Sequence, residues 1–160
     1  MSLDRNNRIA FVAASMRGGG AERVMLDLST GFADMGFSVD LVLVDAEGPY
    51  LQFVPESVRV INLASKRTYK ALPQMIRYLR KEQPLAVLST LNNVNVLVVW
   101  AKVLSRVKSR VVVREPTTPS QRFLSVDSLK KQFFWHLKRQ TYLLADKVVA
   151  VSAGVGEDLN

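Results

Sequence analysis

The sequence has 160 residues, of which 48% are hydrophobic and 22% are charged, and its formal net charge is +8. This composition is typical of one globular domain and excludes general disorder. Cysteine is absent and His136 is the one histidine, which excludes disulfides, thiolate zinc sites, cysteine nucleophiles and His-rich metal centres. No apolar stretch approaches the ~20 residues that span a bilayer, and no basic-then-apolar leader opens the sequence. We therefore expect a cytoplasmic protein, and we assign no role to His136.

The first half of the chain alternates apolar runs of strand length with one segment of helical period. Residues 9–14 predict a buried strand, residues 21–35 a helix and residues 39–44 a second strand. Residues 45–56 contain glycine and two prolines and predict a loop, after which residues 58–63 predict a third, weaker strand. The apolar stripe of the predicted helix consists of Val24, Leu28, Phe32 and Met35.

The second half of the chain continues the alternation. Its predicted elements are a helix over 69–79, a strand over 85–88, a helix over 93–107, a strand over 111–113, a loop over 115–126, a helix over 129–145 and a strand over 147–151. Pro73 falls in the first turn of the first of these helices, whose apolar stripe is Tyr69, Leu72, Met75, Ile76 and Leu79. Strands that are buried on both faces, with helices between them, predict an α/β fold with a Rossmann-like, doubly wound parallel sheet in three α/β/α layers.

A run of three glycines, Gly18, Gly19 and Gly20, lies between the first strand and the first helix, beside Arg17. Ligands of open α/β sheets bind at this carboxyl edge, and the free N–H groups of a helix start favour an anion such as phosphate. The dinucleotide fingerprint fails because Arg23 stands where its third glycine is needed, and no Gly-Lys-Ser/Thr of a P-loop occurs. A dinucleotide enzyme and a P-loop NTPase are therefore disfavoured. A flexible glycine turn without a ligand stays open as the alternative.

Two segments of the sequence resemble the family-4 glycosyltransferases, long called glycosyl transferase group 1 proteins. The segment GGGAERV at residues 18–24, followed by Leu28 and the turn GFSV at residues 36–39, resembles the opening of that family. The segment ADKVVAVSAGV at residues 145–155 resembles the one that closes the family's first domain. The two segments occur in the expected order, and the resemblance covers nearly the whole chain.

The resemblance implies the GT-B architecture, in which two Rossmann-like domains face each other across a cleft. We expect residues 1–160 to be the single N-terminal, acceptor-side domain, with the C-terminal, donor-binding domain absent from this chain. The full-length protein is then expected to be a retaining hexosyltransferase that uses a nucleotide sugar and a lipid-linked or cell-surface glycan acceptor, with no metal or cofactor implied. We expect the single domain to be inactive alone. The alternative is a non-catalytic nucleotide- or anion-binding module of Rossmann type.

The resemblance also implies roles for the glycine loop. In relatives, backbone groups of this loop approach the donor diphosphate or the reacting centre, which assigns Gly18, Gly19 and Gly20 to the donor phosphate. Backbone donors stabilise the charge of a departing diphosphate. Arg17 is an adjacent cation that we expect to face the cleft. Glu22, in the first turn of the helix, is expected to complement the helix dipole rather than to bind substrate.

Polar side chains after the fourth and fifth strands form a second candidate site, for the acceptor. Relatives carry charged residues or a histidine near Arg114 and Glu115, which assigns Arg114 to an acceptor phosphate and Glu115 to a sugar hydroxyl. Pro116 stands where some relatives have histidine, and a surface salt bridge between Arg114 and Glu115 is the alternative. Asn92 and Asn93 suit sugar hydroxyls because an amide both donates and accepts hydrogen bonds. Asn92 is equally well placed to cap the following helix.

The charge is concentrated in residues 58–145, which hold 17 basic and 3 acidic side chains. Basic residues beside Trp and Tyr suit an anionic membrane surface, so we expect peripheral docking at the inner face of the plasma membrane. The residues expected to face it are Arg77, Arg80, Lys81, Lys131, Trp135 and Lys138, with Tyr142 on the same stripe as the last three. A solvated charged face is the alternative. A nucleic-acid partner is not expected, because no helix-turn-helix, RNP or zinc pattern accompanies the charge.

Overall fold

The computed structural model describes residues 7–115 and 140–150. Its strands are β1 (Arg8–Ala13), β2 (Ser38–Leu43), β3 (Val58–Asn62), β4 (Ala86–Thr90), β5 (Arg110–Glu115) and β6 (Lys147–Ala150). Its helices are α1 (Gly20–Asp34), α2 (Leu72–Glu82) and α3 (Asn92–Ser105), with short 3₁₀ helices at Pro49–Phe53 and Thr68–Ala71. The predicted loop over 115–126 and most of the predicted helix over 129–145 lie outside the described residues, although residues 140–142 are helical.

The six described strands form one parallel sheet in the order β3-β2-β1-β4-β5-β6. The chain winds outward from β1 to β3 and then returns to continue on the other side of β1. This strand order is that of the dinucleotide-binding Rossmann fold, and it opens a crevice at the carboxyl ends of β1 and β4, where the winding direction reverses. The predicted Rossmann-like, doubly wound parallel sheet is confirmed.

Two hydrophobic clusters cover the two faces of the sheet. Side chains of β1 alternate between them, because successive residues of a strand point to opposite faces. Phe11 packs into the cluster that contains α1, and Val12 packs into the cluster that contains α2 and α3. The three predicted layers are therefore present in the described part of the chain.

The buried face of α1 lies beside the predicted one. Its buried residues are Glu22, Met25, Leu26 and Ser29, whereas Met35 at the helix end is 65% exposed. Leu28 and Phe32 of the predicted stripe pack only half-buried at the margin. The apolar pattern predicts the neighbouring stripe because the buried one contains two polar residues, Glu22 and Ser29. Both form hydrogen bonds inside the fold.

Two other expectations about local structure, the position of Tyr69 and the ends of two strands, need correction. Tyr69 lies in the 3₁₀ helix before α2 and is 65% exposed, so it does not belong to the buried stripe of that helix. Pro73 does lie in the first turn of α2, as predicted. The strands β4 and β5 each extend two residues beyond their predicted ends, to Thr90 and Glu115. Arg114 and Glu115 therefore belong to β5 instead of following it.

Replacement of Gly31 by alanine is expected to raise the free energy of unfolding by about 0.5–1 kcal/mol. Gly31 lies inside α1, and a Cβ atom added there meets nothing within 4 Å. The alanine therefore lowers the entropy of the unfolded chain without a clash. Urea denaturation measures the change. Gly36→Ala is the opposing control, because Gly36 has a φ of +87°, and this variant should be destabilised.

Candidate functional site

The predicted site residues converge on the carboxyl edge of three adjacent strands. The glycine loop connects β1 to α1, Asn92 and Asn93 begin α3 directly after β4, and Arg114 and Glu115 end β5. Thr90 and Arg114 are partners in the β4–β5 register, so these two strand ends lie side by side. The fold thus brings the two candidate sites to one edge, where open α/β sheets bind their ligands.

The carboxylate of Glu22 occupies the start of the glycine loop. Its Oε2 accepts hydrogen bonds from the backbone N–H groups of Gly18 at 2.7 Å and Gly19 at 2.8 Å. Its Oε1 accepts a third from the hydroxyl of Ser15 at 2.9 Å. Glu22 is the third residue of α1 and bonds back to the N-cap Gly19, so its charge lies at the positive end of the helix. The structural role expected for Glu22 agrees with this geometry.

A second loop, residues 44–50, follows β2 and forms backbone hydrogen bonds with the start of the glycine loop. The backbone N–H of Met16 donates to the carbonyl of Glu47 at 2.9 Å, and the N–H of Tyr50 donates to the carbonyl of Met16 at 3.0 Å. Arg17, which was assigned to the donor phosphate, forms an ion pair with the carboxylate of Glu47 and is largely exposed. A phosphate at Arg17 would therefore compete with a carboxylate of the protein.

Arg114 and Glu115 point to opposite faces of the sheet, as neighbours in a strand must. The guanidinium of Arg114 donates to the hydroxyl of Thr90 at 3.2 Å at the crevice edge. Glu115 is fully buried, and it accepts a hydrogen bond from the hydroxyl of Tyr142 at 2.7 Å. The alternative of a surface salt bridge between the two residues is therefore wrong, because Glu115 does not reach the surface.

A buried polar network lies beneath the Arg114 end of the edge. The hydroxyl of Ser89 donates to Asn95 at 2.8 Å, and the amide of Asn95 donates to the carbonyl of Arg114 and to the hydroxyl of Tyr142, each at 3.0 Å. Through Tyr142 the network reaches Glu115. It ties β4, α3, β5 and residues 140–142 together at the position where the acceptor was expected.

Two members of this network, Asn95 and Tyr142, are not evident as buried residues from the sequence. Asn95 was not named, although a polar residue inside the apolar stripe of a helix signals a buried partner. Tyr142 was placed on the membrane-facing stripe, but it is 6% exposed and belongs to the core. Its hydrogen-bond partners Glu115 and Asn95 are 27 and 47 positions away in the chain, so no local pattern reveals them.

The start of α3 corrects a further alternative. Leu91, with a φ of +72°, occupies the N-cap position, and no side chain caps the helix. Asn92 is therefore the first helical residue and not the cap. Asn93 is exposed at the same end of the helix.

A model of the glycosyl transferase 4-like domain matches residues 19–160 of the sequence. The chain belongs to this family. No match to the sequence is found among curated proteins. The fold of this family member matches the N-terminal domain of GT-B glycosyltransferases, as the resemblance implied.

Solved structures with the same fold include three proteins of low sequence identity. The lipopolysaccharide outer core galactosyltransferase WaaB, in its apo form, has a TM-score of 0.68 and 13% identity over 95% of this chain. Alr3699/HepE of Anabaena in complex with UDP has a TM-score of 0.70 and 16% identity over 95% of this chain. MurG of Acinetobacter baumannii has a TM-score of 0.64 and 14% identity over 92% of this chain. The glycosyl transferase 4-like chain spans between 40% and 42% of the length of these three chains.

The basic residues of α2 differ in what they contact. Arg77, Arg80 and Lys81 are all exposed. The ammonium of Lys81 lies 3.9 Å from the carboxylate of Glu82, and the guanidinium of Arg80 donates to the carbonyl of Leu104 at 3.1 Å, at the end of α3. The other residues expected at a membrane (Lys131, Trp135 and Lys138) lie outside the described residues, and so does His136. No helix in residues 7–115 or 140–150 is long and apolar enough to cross a bilayer. The same residues contain no group of three or more potential metal ligands.

Replacement of Tyr142 by phenylalanine is expected to lower the free energy of unfolding by about 1–3 kcal/mol at neutral pH, because it removes one hydrogen-bond donor to a buried carboxylate. Burial, followed by the hydrogen bond to Glu115, raises the pKa of the Tyr142 phenol well above its ordinary value. Above pH ~10 the phenol ionises in the unfolded chain but not in the folded one, so its contribution is lost as pH rises. The variant should therefore lose stability less steeply above pH ~10.

Urea denaturation at a series of pH values tests this expectation. Tyr69→Phe is the matched control, because the Tyr69 side chain is exposed and its hydroxyl only accepts a bond from Arg67. That variant should stay within about 0.5 kcal/mol of the unchanged chain. Equal losses in the two variants would contradict the importance of the buried network.

Proposed function

We propose that this chain is the acceptor-side domain of a glycosyltransferase that moves a hexose, with retention, from a nucleotide sugar to an acceptor. The acceptor that we propose is lipid-linked or a precursor of a cell-surface glycan. The observation that carries this proposal is the family match over residues 19–160 on a fold that gathers the candidate residues at one sheet edge. The nucleotide sugar is bound by a C-terminal domain that lies outside this chain.

The proposal assigns the glycine loop and Arg17 to the donor side of the cleft, and Asn92, Asn93 and Arg114 to the acceptor side. The complex of HepE with UDP supports a nucleotide as part of the donor. Arg114 suits an acceptor phosphate, because a guanidinium binds phosphate oxygens in pairs. Glu115 is removed from the proposed acceptor contacts, because its carboxylate is buried and hydrogen-bonded to Tyr142.

Sugar transfer by the full-length protein on membrane extract tests the proposal, with a panel of radiolabelled nucleotide sugars and the 160-residue chain run in parallel. We expect label from one donor to enter lipid or glycan, and we expect no transfer by the chain alone. Arg114→Lys should weaken acceptor use more than donor use, because lysine keeps the charge but loses the paired geometry. Absence of transfer from every donor to lipid, glycan and small acceptors would favour the anion-binding module instead.

Peripheral docking on an anionic membrane is a second part of the proposal. Residues 66–81 hold six basic side chains and no acidic one, and Arg77 and Lys81 are exposed on α2. This segment begins after β3 at the carboxyl edge of the sheet, and α2 then returns to the amino edge, where Glu82 pairs with Arg8 at the start of β1. Docking through Arg77 and Lys81 would therefore attach the domain on the side of the sheet away from the crevice. Anionic lipids attract such a cluster electrostatically.

Sedimentation with phosphatidylcholine vesicles, with and without phosphatidylglycerol, tests this docking. We expect the chain to bind the vesicles that contain phosphatidylglycerol but not the neutral ones. We expect this binding to be lost when Arg77 and Lys81 are replaced by glutamate. The charge-matched control replaces Lys108 and Arg110, which are exposed at the amino end of β5. Binding to neither vesicle, or equal losses in the two double variants, would exclude α2 as the docking face.

A further inference from the structure

The amides at the start of the glycine loop already hold an anion, and that anion belongs to the protein. The Glu22 carboxylate lies 2.7 Å and 2.8 Å from the N–H nitrogens of Gly18 and Gly19. These are distances at which a bound phosphate oxygen would lie in an anion site of this kind. We propose that Glu22 excludes substrate phosphates from these two amides and holds the loop in its shape.

The position of the Glu22 side chain makes displacement unfavourable. Glu22 is 9% exposed, and its second oxygen is held by the hydroxyl of Ser15 at 2.9 Å. A phosphate that approached Gly18 or Gly19 would meet the carboxylate at contact distance and would be repelled by its charge. Release of the carboxylate would break three hydrogen bonds and leave a charge buried without donors.

The residues just before the three glycines are held by the second loop, residues 44–50. Met16, two residues before Gly18, is held by backbone hydrogen bonds to Glu47 and Tyr50. The nearest cation in the loop, Arg17, is paired with Glu47. Glu22 is thus a positioning residue, and this inference deepens the proposed function by removing two of the three glycine amides from the donor contacts.

Titration of the 160-residue chain with pyrophosphate, followed through its backbone amide resonances, tests this proposal. In the unchanged chain we expect the resonances of Gly18 and Gly19 to stay in place. In Glu22→Ala the carboxylate is gone, and we expect both resonances to shift with pyrophosphate and to report binding at least about tenfold tighter than in the unchanged chain. Glu22→Gln, which keeps the size but loses the charge, should gain binding to a smaller degree.

Asp27→Ala is the charge-matched control, because Asp27 lies on the same helix, is exposed and pairs with Arg23. It should gain no pyrophosphate binding at Gly18 and Gly19. If Glu22→Ala does not fold, the unchanged chain and Glu22→Gln still decide the question. Saturable shifts of Gly18 and Gly19 in the unchanged chain, or no gain in the folded Glu22 variants, would overturn the proposal. The titration needs no sugar transfer, so its outcome is independent of whether the proposed function holds.

Discussion

Replacement of Asp40 by asparagine lowers the free energy of unfolding by about 3 kcal/mol, because it removes the buried carboxylate that two arginines and a buried tyrosine share. Asp40 is fully buried on β2. Its carboxylate accepts hydrogen bonds from Arg8 at 2.6 Å, from Arg59 at 2.7 and 2.9 Å, and from the hydroxyl of Tyr78 at 2.7 Å. Both carboxylate oxygens of Asp40 accept hydrogen bonds, and asparagine would replace one of these acceptors by an NH2 group that can only donate.

The size of this effect follows from what the partners can do when the carboxylate is gone. Both arginines keep a second anion, because the carboxylate of Glu82 lies 2.7 Å from Arg59 and 3.8 Å from Arg8. Their side chains are also 20% exposed for Arg8 and 44% for Arg59, so both regain some water. Tyr78 is buried, so its hydroxyl cannot form a replacement hydrogen bond with bulk water. The loss should therefore fall at the lower end of the about 3–5 kcal/mol that is typical of a broken buried pair.

Urea denaturation measures this loss, with Asp34→Asn as the control. Asp34 is exposed in the last turn of α1, and its replacement should change stability by no more than about 0.5 kcal/mol. Tyr78→Phe should cost about 1 kcal/mol, because it removes one hydrogen bond and keeps the ion pairs. A stability of Asp40→Asn equal to that of the control would show that the cluster does not hold the sheet together.

Replacement of Gly48 by alanine is expected to lower the free energy of unfolding by about 3 kcal/mol or more, through strain and a backbone clash. Gly48 has a φ of +115° and a ψ of 161°, a conformation that is essentially confined to glycine. A Cβ atom added there would lie 2.3 Å from the backbone carbon and oxygen of Met16. No side-chain rotation relieves this contact, so the second loop must move away from the glycine loop.

Thermal and urea denaturation measure the loss, and hydrogen exchange of the Met16 and Tyr50 amides reports the separation of the two loops. We expect both amides to exchange faster in Gly48→Ala. Gly20→Ala is the control, because a Cβ atom at Gly20 meets nothing within 4 Å. That variant should be as stable as the unchanged chain or more stable by up to about 1 kcal/mol. An unchanged exchange rate of the Met16 amide would contradict the role of Gly48 in holding the two loops together.

The order of the elements follows from the sequence because the information is local. The inner strands are largely apolar and buried on both faces, whereas β3 and β6 lie at the two sheet edges and are largely exposed. The helices between them are long enough for parallel crossovers, which are right-handed almost without exception. The doubly wound parallel sheet, the glycine loop at its carboxyl edge and the family membership were all predictable from this pattern and from the two terminal motifs.

The exact ends of the strands determine which side chains face the candidate site. These ends were not predictable from local patterns. Two further residues in β5 place Arg114 and Glu115 on opposite faces, one at the crevice and one in the core. A buried glutamate and an exposed one look alike in sequence. The partner of Glu115, Tyr142, is 27 positions away.

Local order in this protein is set by apolar periodicity and by glycine, which act over a few neighbouring residues and can be read without a structure. Whether a charged group is buried, paired or exposed is determined by contacts between elements that are far apart in the chain. Asp40 meets Arg59 and Tyr78 only because β2, β3 and α2 pack together, and Arg17 meets Glu47 only because two loops share one edge. Burial of a charge depends on such long-range partners. For that reason the sequence predicted the edge where a site lies, whereas the packed fold determined which charges at that edge are available.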